Sequence, residues 1–116
     1  MPTYKESKTF AQRRAESVKY RGKYPPLKIP VVFEPRPGEG QLLQIHWRVQ
    51  AVREGTSMSS FADLIRRQLQ LRNDQMIFFT LPDVDVSDID CAWRFGELYE
   101  NYEDDDGFLY LNYYAE

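Results

Sequence analysis

Apolar positions along this chain follow two rhythms. Thr9 precedes FAQRRAESVKY, where Phe10, Arg13/Arg14, Ser17/Val18 and Arg21 recur at helical spacing and Gly22 with the Pro25-Pro26 pair supplies a stop. The spacing predicts a helix with a basic face and a thin apolar stripe, docking through Phe10, Val18 and Tyr20. A second helix is predicted from SSFADLIRRQLQLRND, with Ser59 or Ser60 as N-cap, Phe61, Leu64, Ile65 and Leu69 at helical spacing, and an end at Asn73. Between them KIPVVFE reads as a strand bounded by the turn residues PRPGEG, and residues 42–53 alternate well enough for its hairpin partner. MIFFTL, ended by Pro82, is too short for a helix and is expected as a strand buried on both faces. WRFGELYENY suggests a short amphipathic helix or turn with Trp93, Leu98 and Tyr99 inward. In DDDGFLYLNYYAE both faces of the final run are apolar, Phe108, Tyr110 and Asn112 against Leu109, Leu111 and Tyr113, which predicts an interior strand entered through a solvated turn at Gly107.

The resulting order, helix, β-hairpin, helix, strand, short helix, strand, is α+β: the ββαββ plan of a ubiquitin-like β-grasp roll with an added N-terminal helix. The 116 residues fit one domain, with residues 1–26 as the helical extension and 27–116 as the β-grasp core. An apolar content of 42% with 15% aromatic residues supports a packed core. Cys91 is the only cysteine, so an intramolecular disulfide or a Cys/His zinc site is not expected. The polar, basic start and the lack of any apolar run near the roughly 20 residues of a membrane span point to a cytoplasmic or nuclear protein.

The net charge of −3 hides an asymmetry. Residues 1–28 carry eight cations against two acids, a net of +6, whereas residues 82–116 carry eleven acids against Arg94, a net of −10. The two ends face different partners, or each other.

Little of this spells catalysis. His46, the only histidine, has no nucleophile at a recognisable spacing, so no enzyme, no catalytic residue and no cofactor is expected. The acidic loop DVDVSDIDCAWR, 83–94, begins like a calcium loop. Asp88 stands where glycine is required and Arg94 where a bidentate glutamate is required, so no metal site is expected there. The basic helix with Tyr20 and Tyr24 would suit phosphates and bases, but the sequence pI near 5.2 and the absence of any nucleic-acid motif argue against nucleic acid.

Five stretches together resemble the autophagy-related ubiquitin-like modifiers, the family of GABARAP and the microtubule-associated protein light chains. FAQRRAESVKYRGKYP (10–25) is similar to their N-terminal helix and its exit, IPVVFE (29–34) to their first strand, FADLIRRQLQL (61–71) to their long helix, IFFTL (77–81) to their third strand and DGFLYLNY (106–113) to their last. The resemblance implies a lipid-conjugated tag that a cysteine protease trims and E1-like and E2-like enzymes attach to phosphatidylethanolamine on autophagosomal membranes. It also implies a monomer that recruits cargo receptors and adaptors, whose aromatic-x-x-aliphatic motif adds a strand to the sheet. By position, an aromatic pocket would be lined by Glu16, Tyr20, Pro30, Val32, Val49, Ala51 and Phe108, and an aliphatic pocket by Val52, Phe61, Leu64 and Ile65. Lys19 and Lys28 would meet the acids flanking the motif. Val32, Phe61, Leu64 and Phe108 equally suit a core.

The departures concern charge. Trp47 and Val49 stand where the family usually has lysines, Ala51, Val52 and Arg53 where it has Leu-Val-Pro, and Gln68 where it has an arginine that contacts ligands. Preference for heavily acidic motifs should weaken. The conjugated glycine is expected just beyond Glu116. Without one, the chain would be a non-conjugated paralogue that acts only as a peptide-binding module.

Overall fold

Thr9 caps the helix that follows it through a reciprocal capping box: its hydroxyl accepts from the Gln12 N–H while the Gln12 side chain accepts from the Thr9 N–H. Thr3 repeats the device one turn earlier with Glu6, which closes a short helix that the hydrophobic pattern does not announce. The computed structural model describes residues 3–36, 48–72, 74–82 and 92–115. Its helices are α1 (Tyr4–Ser7), α2 (Phe10–Arg21), α3 (Met58–Leu69) and α4 (Phe95–Tyr102); its strands are β1 (Lys28–Pro35), β2 (Arg48–Arg53), β3 (Ile77–Thr80) and β4 (Leu109–Ala115). Residues 37–40 of the predicted turn PRPGEG, the first part of its predicted hairpin partner (42–47, with His46 and Trp47), Asn73, Cys91 and most of the acidic loop lie outside the described residues; Pro35 closes β1.

The sheet order is β2-β1-β4-β3, with β1 and β4 parallel and both outer pairs antiparallel. The last strand of the chain therefore sits in the middle, as its two apolar faces require. Leu109, Leu111 and Tyr113 enter the larger core with Val31, Phe33, Phe61, Ile65 and Phe95, while Phe108 and Tyr110 enter a smaller cluster with Tyr4 and Val32 on the opposite face. Phe61 centres the larger core, its ring 5.3 Å from Phe33, 5.6 Å from Phe79 and 4.9 Å from Phe95.

Four expectations need correction. β3 is an outer strand with Ile77 and Phe79 buried and Phe78 and Thr80 half-buried, so one face is deeply packed, not two. Ser57, not Ser59 or Ser60, caps α3, its hydroxyl accepting from the Ser60 N–H, and the helix ends at Gln70 in the left-handed region. Phe10 and Val18 point to solvent, 47% and 62% exposed; of the three expected residues only Tyr20 reaches the sheet, and α2 docks mainly through Ser17 and Arg13. The acidic turn is not simply solvated, because Asp106 is fully buried.

Candidate functional site

Directly paired residues on neighbouring strands share a face of the sheet. Across the β1–β2 ladder Pro30 pairs with Ala51 and Val32 with Val49, so these four share a face with Phe108, on the side where α2 lies. Tyr20 reaches the same face from α2, its ring 6.4 Å from that of Phe108. Glu16, one turn earlier, is half-buried and accepts from the Tyr4 hydroxyl and the Lys8 ammonium. Those two bonds, Lys8 first, hold its carboxyl below the usual glutamate range. The seven residues expected at an aromatic pocket thus converge on one face beside the outer strand.

The other four lie on the opposite face. Val52 alternates with Ala51 and joins the larger core with Phe61 and Ile65, while Leu64, on the next position of α3, is 42% exposed. Depth divides the whole set of candidates. Val32, Phe61, Ile65 and Phe108 are packed too deeply to be touched from outside and can only support a surface. Tyr20, Val49, Ala51 and Leu64 remain accessible, and Pro30 and Val52 lie just beneath. Gln68 is exposed on α3.

Sequence reasoning missed one cation and the frame behind the site. Lys28 pairs with Arg53 across the ladder, so two exposed cations continue the row Val49, Ala51 at one end of β2. Lys19 is exposed on α2. Behind the aromatic face, Tyr4 is completely buried, its ring edge-on to Phe108 at 5.4 Å and its N–H donating to Glu34 at 3.0 Å. Asp106 accepts from Arg13 at 2.8 Å, from the Tyr110 hydroxyl at 2.5 Å and from the Phe108 N–H at 2.9 Å. Burial, then the bond to Asp106, raises the Tyr110 phenol well above its ordinary pKa. The basic head and the acidic turn therefore face each other: Lys5 holds Asp104 at 2.7 Å and Arg14 donates to the Asp105 carbonyl at 3.0 Å. The Thr3-x-x-Glu6 capping box is the sequence signal that could have revealed α1.

Residues 12–116 match the family described as Autophagy protein Atg8 ubiquitin like. Autophagy-related protein 8 of Pichia angusta is 32% identical over 113 residues, covering 97% of this chain and 86% of that protein. The fold is similar to that in the crystal structure of Trypanosoma brucei ATG8, with a TM-score of 0.80, 25% identity and coverage of 100% of this chain and 96% of the other. No helix among the described residues is long and apolar enough to cross a membrane. With the ββαββ roll, the parallel β1–β4 pair and the helical extension all in place, the chain belongs to the Atg8 family of autophagy-related ubiquitin-like proteins.

Proposed function

We propose that this chain is a non-enzymatic modifier and adaptor that binds aromatic-x-x-aliphatic peptides by strand addition along β2. One observation carries the reading. β2 is an outer strand, pairing with β1 alone among the described residues, and the two candidate surfaces flank it on opposite faces. An added peptide strand would pair with the β2 backbone, and residues alternating along it would face the two surfaces in turn. An aromatic side chain lies over Val49 and Ala51 beside Tyr20; an aliphatic one lies towards Leu64. Lys28, Arg53 and Lys19 meet acidic neighbours of the motif, each such rim pair adding about 0.2–1 kcal/mol.

Titration of the protein with a Trp-x-x-Leu peptide, followed by NMR, tests the reading. Amide shifts should cluster at 48–53, around Tyr20 and around Leu64. Shifts clustered elsewhere, or none at millimolar peptide, would sink it.

Family membership supports conjugation to phosphatidylethanolamine as the second half of the function. The protein carrying a terminal glycine, incubated with E1-like and E2-like enzymes and phosphatidylethanolamine vesicles, should give a lipid-shifted band that disappears when that glycine is removed. Peptide binding without such a band would identify an interaction module that is not conjugated.

A further inference from the structure

On the sheet face that carries α1, the apolar pair Val32 and Tyr110 gives way two residues further along to Glu34 and Asn112, direct partners in the parallel β1–β4 ladder. Both line a cavity of about 340 Å³, together with Leu81 and Pro82 after β3 and Tyr102 at the end of α4. That volume is at the lower end of small-ligand sites. One Glu34 oxygen accepts the Tyr4 N–H at 3.0 Å; the other makes no hydrogen bond among the described residues, and neither does the side-chain amide of Asn112. The remaining charges on the cavity each have a partner. Lys5 bonds Asp104 at 2.7 Å and lies 4.7 Å from the centre of the Tyr110 ring, and Glu103 accepts from the Tyr99 hydroxyl at 3.0 Å. Burial raises the Glu34 carboxyl above the ordinary glutamate range, against the lowering pull of the Tyr4 N–H and of Lys5.

We propose that Glu34 and Asn112 form a receptor for a guanidinium or ammonium group borne on an apolar stem, with an arginine side chain as the best fit. A planar guanidinium presents enough donors to satisfy both the open carboxylate oxygen and the amide oxygen. Its methylenes lie against Leu81, Pro82 and Tyr102, as long cationic side chains do on apolar surface. An anion meets Glu34 as a like charge, and a wholly apolar ligand leaves the carboxylate desolvated without a partner. None of these residues belongs to the set beside β2, so this site neither rests on nor competes with strand addition there.

The test is an NMR titration with acetyl-Gly-Arg-Gly-amide, with the same peptide carrying citrulline, the neutral isostere of arginine, and with agmatine as a free amine. The arginine peptide should give saturable shifts at Glu34, Asn112 and Tyr102 with a Kd of about 1–10 mM. Citrulline should bind at least about tenfold more weakly, which corresponds to one ionic contact of ordinary strength. Glu34→Gln keeps an acceptor for the Tyr4 N–H and should abolish the preference for arginine over citrulline. Because that change touches the seat of α1, Tyr102→Ala serves as a second variant, expected to weaken arginine binding severalfold with the Tyr4 amide signal unmoved. Agmatine weaker than the peptide assigns the site to a partner's side chain, and agmatine as strong assigns it to free amines; either supports the chemistry. No shifts at these residues, equal binding of citrulline, or full affinity in both variants would overturn it.

Discussion

A Cβ on Gly107 would lie 2.4 Å from the Ser17 hydroxyl oxygen, and the residue sits at φ +93°. Two requirements fall on one position: a backbone conformation that L side chains rarely adopt, and a close approach to α2, whose Ser17 donates to the Asp106 carbonyl at 2.6 Å. Gly107→Ala should therefore cost about 2–3 kcal/mol, measured by urea unfolding, since the strain alone is of that order. A loss under 0.5 kcal/mol would show that the turn relaxes freely. Asp106, one residue earlier, is a buried carboxylate satisfied by a half-buried arginine, a tyrosine hydroxyl and a backbone N–H. Asp106→Ala leaves Arg13 and Tyr110 without that acceptor, so a loss of about 3–5 kcal/mol is expected in the same assay. At the proposed docking edge, Val49 is half-buried. Val49→Lys should strengthen binding of acid-flanked Trp-x-x-Leu peptides by about 0.2–1 kcal/mol, with the gain lost at high salt. Isothermal titration at two ionic strengths checks it, and an unchanged affinity at low salt would refute it.

At the scale of elements, α1 is the least self-sufficient piece of the fold, four residues whose seat is largely polar. Glu16 is held low by hydrogen bonds from Lys8 and Tyr4; Asp104 is held low because Lys5 and the Asp106 N–H outweigh a desolvation effect of opposite sign. A carboxyl with a lowered folded-state pKa binds its proton more readily in the unfolded chain, so its contribution is complete above the ordinary values of 4.5 and 3.8 and drains away as pH falls through the lowered ones. Glu34 runs the other way, since burial raises it, and its protonation in acid favours the seated state. Glu6 of α1 is lowered too, by its bonds with Thr3, so with three groups against one α1 should loosen between about pH 5 and about pH 3. The Tyr4 and Lys5 amide signals would then move together, and Asp104→Asn should flatten the change. Constant signals through that range would contradict it. The order of elements was legible in the sequence because period and punctuation agree there: β4 shows two apolar faces, and α2 is framed by Thr9 and Gly22. Which side of α2 faces inward was not legible. Its seat is Arg13 on Asp106 and Ser17 on Gly107, and a hydrophobic pattern carries no sign of polar docking. The candidate site was legible as a set of residues through resemblance, but not in depth, since alternation along a strand assigns Val32 and Val49 to one face without saying that one lies inside and the other near the surface.

Over the whole molecule, the sheet has a core on each face, and the central strand belongs to both. The smaller core, Tyr4, Val32, Phe108 and Tyr110, could be a separable flap or part of one cooperative unit. Geometry favours cooperation. Tyr4 is fully buried and touches α2 through Glu16, β1 through Glu34, the Phe108 ring just before β4 and β4 itself through the Tyr110 ring, and β4 carries Leu109 and Leu111 into the larger core from the alternate positions. Truncating a buried aromatic costs about 3–5 kcal/mol, and for a chain of this size each kilocalorie moves Tm by roughly 3–5 °C. If the faces melt as one, Tyr4→Ala should lower the single Tm by about 10–25 °C. Amide exchange should accelerate in β1 and β4 as well as in α1. It should also weaken a peptide seated on β2, because Phe108 and Glu16 lose the ring and the hydroxyl that position them. A Tm within 2 °C of the parent, with exchange accelerated in α1 alone, would mean instead that the N-terminal helix opens by itself and that the charge pairing between head and tail is a latch, not a part of the core.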